Sequence, residues 1–237
     1  MSYLINMFGN ILNKPRRANP IQFNRNFPYG RGCTERIIEI PWALSQYNSE
    51  KRVLEVGGSH AEQEYIRELK RLRIPALHCI DISEKDAPDF IKRTADIRDS
   101  GFPDSYFNMI LCISTIEHIG MDNTKYYSPA KEIQNTENLS PDAHAILEMW
   151  RILKKDGKLI ITVPFGKLYN YGWFKHYDSE SFSRLIGFIK YKALIKEFFI
   201  YTPEGWNVCE ESVLKDILYQ DNGAPAAAGL CCCVLMK

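Results

Sequence analysis

The sequence predicts an α/β protein: a doubly wound, mostly parallel sheet with an antiparallel C-terminal strand, preceded by an N-terminal helical arm. Three observations carry that expectation. Strand-like and helix-like segments alternate through the middle of the chain, from Lys51 to Val163. The strand-like segments are near-continuous apolar runs, as expected when helices cover both faces of a sheet. Acidic or small polar residues (Glu55, Asp81, Ser114) stand where these runs stop. Open sheets of this kind hold ligands outside the carboxyl ends of their strands, so chemistry is sought there.

Residues 1–48 read as the arm and residues 49–237 as the main domain, with substrate-loop insertions near 120–140 and 165–178. Leu4, Met7, Phe8 and Ile11 follow helical spacing, and Lys14, Arg16 and Arg17 come after them. A signal peptide places its positive charges first and an unbroken apolar stretch second, whereas Asn6, Gly9, Asn10 and Asn13 interrupt this one. The segment is expected to cap the domain or its site, or to join copies of the chain into a homo-oligomer. Attachment to a membrane surface is the alternative. No run nears the roughly 18 apolar residues of a spanning helix.

A turn at Pro28-Tyr29-Gly30-Arg31-Gly32 leads to a helix capped by Thr34, running through Glu35, Ile37, Ile38 and Leu44, bent or restarted at Pro41. Arg52 to Val56 is a short strand ending in Gly57-Gly58. Tyr65, Ile66, Leu69 and Leu72 mark the next helix, closed by Pro75. Strands follow over Ala76 to Ile82 and Met109 to Ile113. A helix from about Asp142 to Leu153 stops at Lys154-Lys155-Asp156-Gly157, and Lys158 to Val163 is the next strand. A helix over Ser179 to Phe188 and strands near Leu194 to Tyr201 and Leu230 to Met236 complete the chain.

Composition excludes some functions. With 30 Lys and Arg against 29 Asp and Glu, the chain lacks the basic stripe of a nucleic-acid binder. Seven cysteines occur, three of them consecutive (Cys231, Cys232, Cys233), and no pair has C-x-x-C spacing. Neighbours in a strand point to opposite faces, so the trio cannot form an ordinary disulfide framework. Free cysteines packed in a core, in a reducing cytoplasmic setting, are the expectation; redox or metal roles are the alternatives.

Chemistry concentrates where Val53-Leu54-Glu55-Val56 runs into Gly57-Gly58-Ser59-His60. A glycine turn between strand and helix lets a ligand approach the backbone at a helix N-terminus. A dinucleotide fingerprint needs G-x-G-x-x-G, but Ser59 and Glu62 stand at its second and third glycines. Glu55, Gly57 and Gly58 instead resemble the first motif of class I S-adenosylmethionine (AdoMet)-dependent methyltransferases, a Rossmann-like family with an acidic residue before a glycine turn.

Further segments resemble that family in order: Cys79-Ile80-Asp81-Ile82, Asp96-Ile97, Ser114-Thr115-Ile116-Glu117-His118, and Trp150 to Pro164. The resemblance implies AdoMet as cofactor, held by Glu55, Gly57, Gly58, Ser59, Asp81, Ile82, Asp96, Ile97, Ser114 and Glu117. Asp81 would accept from both ribose hydroxyls, since a carboxylate serves two donors at once; capping the next helix is its plainer alternative. Asp96 would accept from the adenine amine, with Ile97 against the ring; a surface turn is the alternative there.

The implied reaction moves a methyl group to a small acceptor, a hydroxyl of a sugar or glycan precursor being the leading expectation. His118, after the fourth strand, is the first candidate for the general base, or else it holds the loop by hydrogen bonding. His176, in the aromatic loop Phe165 to Tyr177, is the second. A metal is not expected, because Ser114 stands where related quinone-pathway enzymes carry a carboxylate, although Asp122 could compensate. N-methylation of a small amine or protein, and a non-catalytic AdoMet-binding or interaction subunit, are the competing readings. The segment Glu35 to Leu44 resembles methyltransferases of surface-polysaccharide pathways.

Overall fold

The computed structural model describes residues 19–124 and 139–237, and every structural statement below concerns those residues. The apolar arm positions Leu4 to Ile11 and most of the 120–140 insertion lie outside them. In chain order the elements are α1 (Arg36–Ser45), β1 (Arg52–Val56), α2 (Gln63–Leu72), β2 (Ala76–Asp81), β3 (Ile91–Thr94), β4 (Phe107–Ile113) and α3 (Pro141–Ile152). Then come β5 (Leu153–Pro164), β6 (Tyr169–Asn170), β7 (Lys175–His176), α4 (Ser179–Ile186), β8 (Ala193–Thr202), β9 (Gly205–Cys209) and β10 (Gly229–Met236).

Eight strands form one sheet in the order β3-β2-β1-β4-β5-β10-β8-β9. The β3-to-β5 half is parallel. β10 inserts antiparallel between β5 and β8, and β8 folds back on β9 as a hairpin. The antiparallel C-terminal strand is as the sequence predicts. β3 and β9 are not anticipated: β3 is short and mostly exposed, so it carries no apolar run to read.

Two cores sandwich the sheet. α1 and α2 cover one face through Ile38, Trp42, Leu44, Tyr65, Leu69 and Leu72. α3 and α4 cover the other through Ala145, Ile146, Met149, Phe182 and Leu185. The alternation of β10 explains the cysteine run. Cys231 and Cys233 enter the α3/α4 core, while Cys232 enters the α1/α2 core. All seven cysteines are unpaired. Burial pushes the thiols of the trio up, Cys233 to about 12, so they pack as neutral small hydrophobes.

Several boundaries differ from the sequence reading. Thr34 does not cap α1 with its side chain; Glu35 occupies the N-cap position in helical backbone conformation, and the Ile37 amide donates to the Thr34 carbonyl. α1 also runs through Pro41 without a break. The turn at 154–157 is a loop-out within β5: Phe107 pairs with Leu153, but Met109 pairs with Lys158. α4 ends at Ile186, and its start is fixed by a reciprocal Asp178–Ser181 capping box. Among the described residues, no helix is long and apolar enough to cross a membrane.

Candidate active site

A cavity of about 450 Å³ opens at the carboxyl ends of β1, β2, β4 and β5, the expected place for a ligand of such a sheet. Its first wall is built by local sequence. Gly57 has φ +85°, and a Cβ there would stand 2.8 Å from Thr115 Oγ1, so only glycine fits the turn. Thr115 is itself pinned, its hydroxyl donating to Val56 O at 3.0 Å. Gly58 lies beneath the turn, where a Cβ would come within 2.9 Å of Glu55 Cγ. Asp81, at the end of β2, receives the Ser59 amide at 2.9 Å and the Ser83 amide at 2.8 Å. Two backbone donors hold that carboxylate against the glycine turn, and the residue lines the cavity.

Asp96 and Ile97 form the far end of this wall. The Asp96 carboxylate accepts from the Arg98 amide and carries the Arg98 guanidinium at 2.8 Å. An adenine amine would share that carboxylate with Arg98 or displace it. Ile97 is buried beside it.

The second wall begins with α1. Glu39 is fully buried and accepts from Ser114 Oγ at 2.7 Å and Thr162 Oγ1 at 2.6 Å, while its other oxygen pairs with Arg36 at 2.7 Å. This network ties α1 to the ends of β4 and β5 and holds Ser114 at φ +40°, a conformation costly for a non-glycine residue. The Ser114 hydroxyl is therefore spent on Glu39, although the residue still lines the cavity.

Carboxylates crowd this region. Burial pushes Glu55 up to about 8 despite a 2.5 Å hydrogen bond from Tyr65. Burial, with Glu39 nearby, pushes Glu35 up to about 7. Burial lifts Glu117 well above the usual carboxylate range, and its Oε2 makes no hydrogen bond. Arg36 is the guanidinium among them, and Glu39 raises its pKa further.

His118 closes a short turn after β4. Its Nδ1 lies 2.9 Å from Trp173 O. A carbonyl only accepts, so Nδ1 carries the proton and Nε2 is the basic nitrogen of the neutral ring. Nε2 lies 4.0 Å from Glu117 Oε1. The Asn123 amide braces the same turn by donating to His118 O at 2.8 Å. An aromatic arc continues from His118 through Trp173 and Phe174 to Tyr219, with ring centroids 5.1, 4.6 and 5.0 Å apart.

Of the residues singled out from sequence, Glu55, Gly57, Asp81, Ile82, Asp96, Ile97, Ser114, Glu117 and His118 line one cavity. Gly58 and Ser59 stand behind it, shaping the turn and orienting Asp81. His176 is a correction: it is fully buried in β7 and does not line the cavity. Its ring packs on Tyr171, Phe174 and Tyr219, and burial lowers its pKa to about 4. Sequence reasoning missed Glu35, Arg36, Ile40, Asn123 and Tyr219 as cavity residues. The segment holding Glu35 and Arg36 was marked by its resemblance to polysaccharide-pathway enzymes; Tyr219 had no local signal. No group of three His, Cys, Asp or Glu is placed to hold a metal ion among the described residues.

The sequence matches no protein-family model and none of the curated proteins. Solved structures do match. One is a Thermotoga maritima protein described as an AdoMet-dependent methyltransferase and possible histamine N-methyltransferase. It aligns with a TM-score of 0.54 at 15% identity, over 84% of this chain and 88% of that one. Another is the MccD protein, with a TM-score of 0.51 at 14% identity, over 84% of this chain and 96% of its own. The chain thus has the Rossmann-like fold of class I AdoMet-dependent methyltransferases.

Proposed function

We propose that the chain is an AdoMet-dependent methyltransferase acting on a hydroxyl of a small acceptor, with sugars and glycan precursors as the acceptor class. The observation that carries this reading is Asp81. Two backbone amides orient its carboxylate beside a glycine turn that tolerates no side chain, an arrangement suited to a ribose diol. The residues present fit the cofactor: Gly57 and Asp81 for the ribose side, Ile82, Asp96 and Ile97 for the adenine, Glu55 and Ser114 for the amino-acid tail. Arg36 suits the tail's carboxylate, and Glu117 stands at the boundary with the acceptor.

When bound, AdoMet supplies an electrophilic methyl group on a sulfonium. The chain's own part is alignment and proton removal. His118 lines the cavity, and its contact with Trp173 O through Nδ1 makes Nε2 the nitrogen suited to take the acceptor's hydroxyl proton. A cytoplasmic setting belongs to the same reading, supported by seven unpaired cysteines.

Calorimetric titration with S-adenosylhomocysteine tests the reading. Micromolar binding is expected, weakened about a hundredfold or more in Asp81→Ala, since hydrogen bonds to a charged group are worth roughly 1.5–3 kcal/mol each. Equal binding by both proteins, or none by the wild type, would sink it.

A further inference from the structure

The cofactor-binding reading gives Glu35 no role and places Glu117 only at the boundary with the acceptor, so the arc between them is open to the acceptor. Glu35 lines the cavity at the start of α1, and its Oε2 accepts the Ala227 amide at 3.1 Å. The Gln220 amide in turn bonds Ala226 O at 2.9 Å, which places the Tyr219 segment beside Glu35. From Tyr219 the ring contacts run to Phe174, Trp173 and His118, and the next residue along is Glu117. Two carboxylates thus stand at the ends of a wall whose middle is three aromatic rings and the candidate base.

The charge of this wall is only partly compensated: Arg36 acts on both carboxylates without pairing with either. Among the described residues no lysine or arginine forms an ion pair with Glu35 or Glu117, and Arg36 is engaged by Glu39 at 2.7 Å. Glu117 is only 1% exposed, and its Oε2 has no hydrogen-bond partner. A buried carboxylate left in that state is costly, whether it is ionised without a partner or forced neutral. Burial does hold both groups toward the neutral form. A bound cation would relieve that cost, and aromatic faces stabilise ammonium groups as well.

We propose that the acceptor carries an ammonium group, anchored by Glu35 and Glu117 against Trp173, Phe174 and Tyr219, and that this group positions a neighbouring hydroxyl at His118. The acceptor class is then a hydroxylated amine, such as an amino sugar with its nitrogen free. Neutral polyols and N-acylated sugars lack the anchor. The proposal rests on the methyl-transfer reading but adds a requirement that reading does not contain.

The test is a panel of hydroxylated amines, each with its N-acetyl partner: amino sugars, amino alcohols and phenolic amines. Turnover is read as S-adenosylhomocysteine formed, and the methylated atom is located by mass spectrometry. Turnover is expected among the free amines, with at least tenfold loss on N-acetylation. Glu35→Gln should raise the KM of the best amine tenfold or more with a smaller change in kcat, while S-adenosylhomocysteine binding persists. Equal or better turnover of the N-acetyl partners overturns the proposal. So do an unchanged KM in Glu35→Gln, methylation on the nitrogen itself, or turnover of no panel member by protein that binds S-adenosylhomocysteine. Failure to bind S-adenosylhomocysteine would instead defeat the cofactor reading.

Discussion

The two walls of the cavity are built on different principles. The wall of Gly57, Asp81 and Asp96 is assembled from turns that directly follow β1, β2 and β3. Its functional atoms are fixed by backbone: a left-handed glycine, two amides on Asp81, an amide on Asp96. The opposite wall collects Glu35, Ser114, Glu117, His118, Trp173 and Tyr219 from four distant stretches of chain and fixes them by side-chain contacts. On the first wall the carboxylates of Asp81 and Asp96 are hydrogen-bonded before any ligand arrives. The second holds an orphaned carboxylate, Glu117, and a further acid lifted by burial, Glu35. A pre-satisfied wall suits one constant ligand, whereas an unsatisfied one gains most from a specific partner.

The comparison can be broken most sharply at one polar residue on each wall, His118 and Asp81. His118→Ala should lower kcat about 10²- to 10⁴-fold, the usual range for losing a positioned general base, with S-adenosylhomocysteine binding retained. Asp81→Ala should do the reverse, losing cofactor affinity first. A histidine that served only to hold the Trp173 loop would raise KM and leave the pH dependence of kcat intact, so the pH profile of a residual-activity variant decides between the roles. Loss of cofactor binding in both variants would mean that the walls do not act separately.

The same contrast explains what the sequence made legible. Glu55, Gly57, Asp81 and Ser114 could be placed because each sits at the end of an apolar strand, and a parallel sheet brings strand ends together whatever the loops do. The position of α1 is not encoded so locally. Whether Glu35 and Arg36 reach the cavity depends on how α1 crosses β4, β5 and β10, and on a buried acid, Glu39, that a helical pattern would put on the surface. Tyr219 lies in irregular chain between β9 and β10, where no periodicity guides a reading. The cysteine run was legible as core because strand alternation alone disperses it between the two faces.

Glu55 offers a smaller test of how much the unliganded site is stressed. Its carboxyl is raised from 4.5 to about 8 in the folded protein. From pH 4.5 to 8, the unfolded chain releases this proton while the folded chain keeps it, so the contribution favours the fold at low pH and is lost as pH rises through that window. The thermal midpoint of the wild type minus that of Glu55→Gln should therefore fall from about pH 5 to pH 8. A difference that stays level would mean that Tyr65 and Arg36 keep Glu55 ionised throughout.

His176 should show the smallest functional effect and the opposite sign. Its ring sits among Tyr171, Phe174 and Tyr219, and neither nitrogen makes a hydrogen bond within the described residues. Its folded pKa is lowered from 6.5 to about 4, so its contribution is whole above pH 6.5 and is lost as pH falls toward 4. His176→Phe keeps a flat ring in an aromatic pocket and removes the group that must be protonated on acid unfolding. Turnover should stay within about twofold, because general-base loss would cost at least a hundredfold. Stability below pH 6 should improve relative to wild type. A large loss of turnover with cofactor binding intact would return His176 to the acceptor wall.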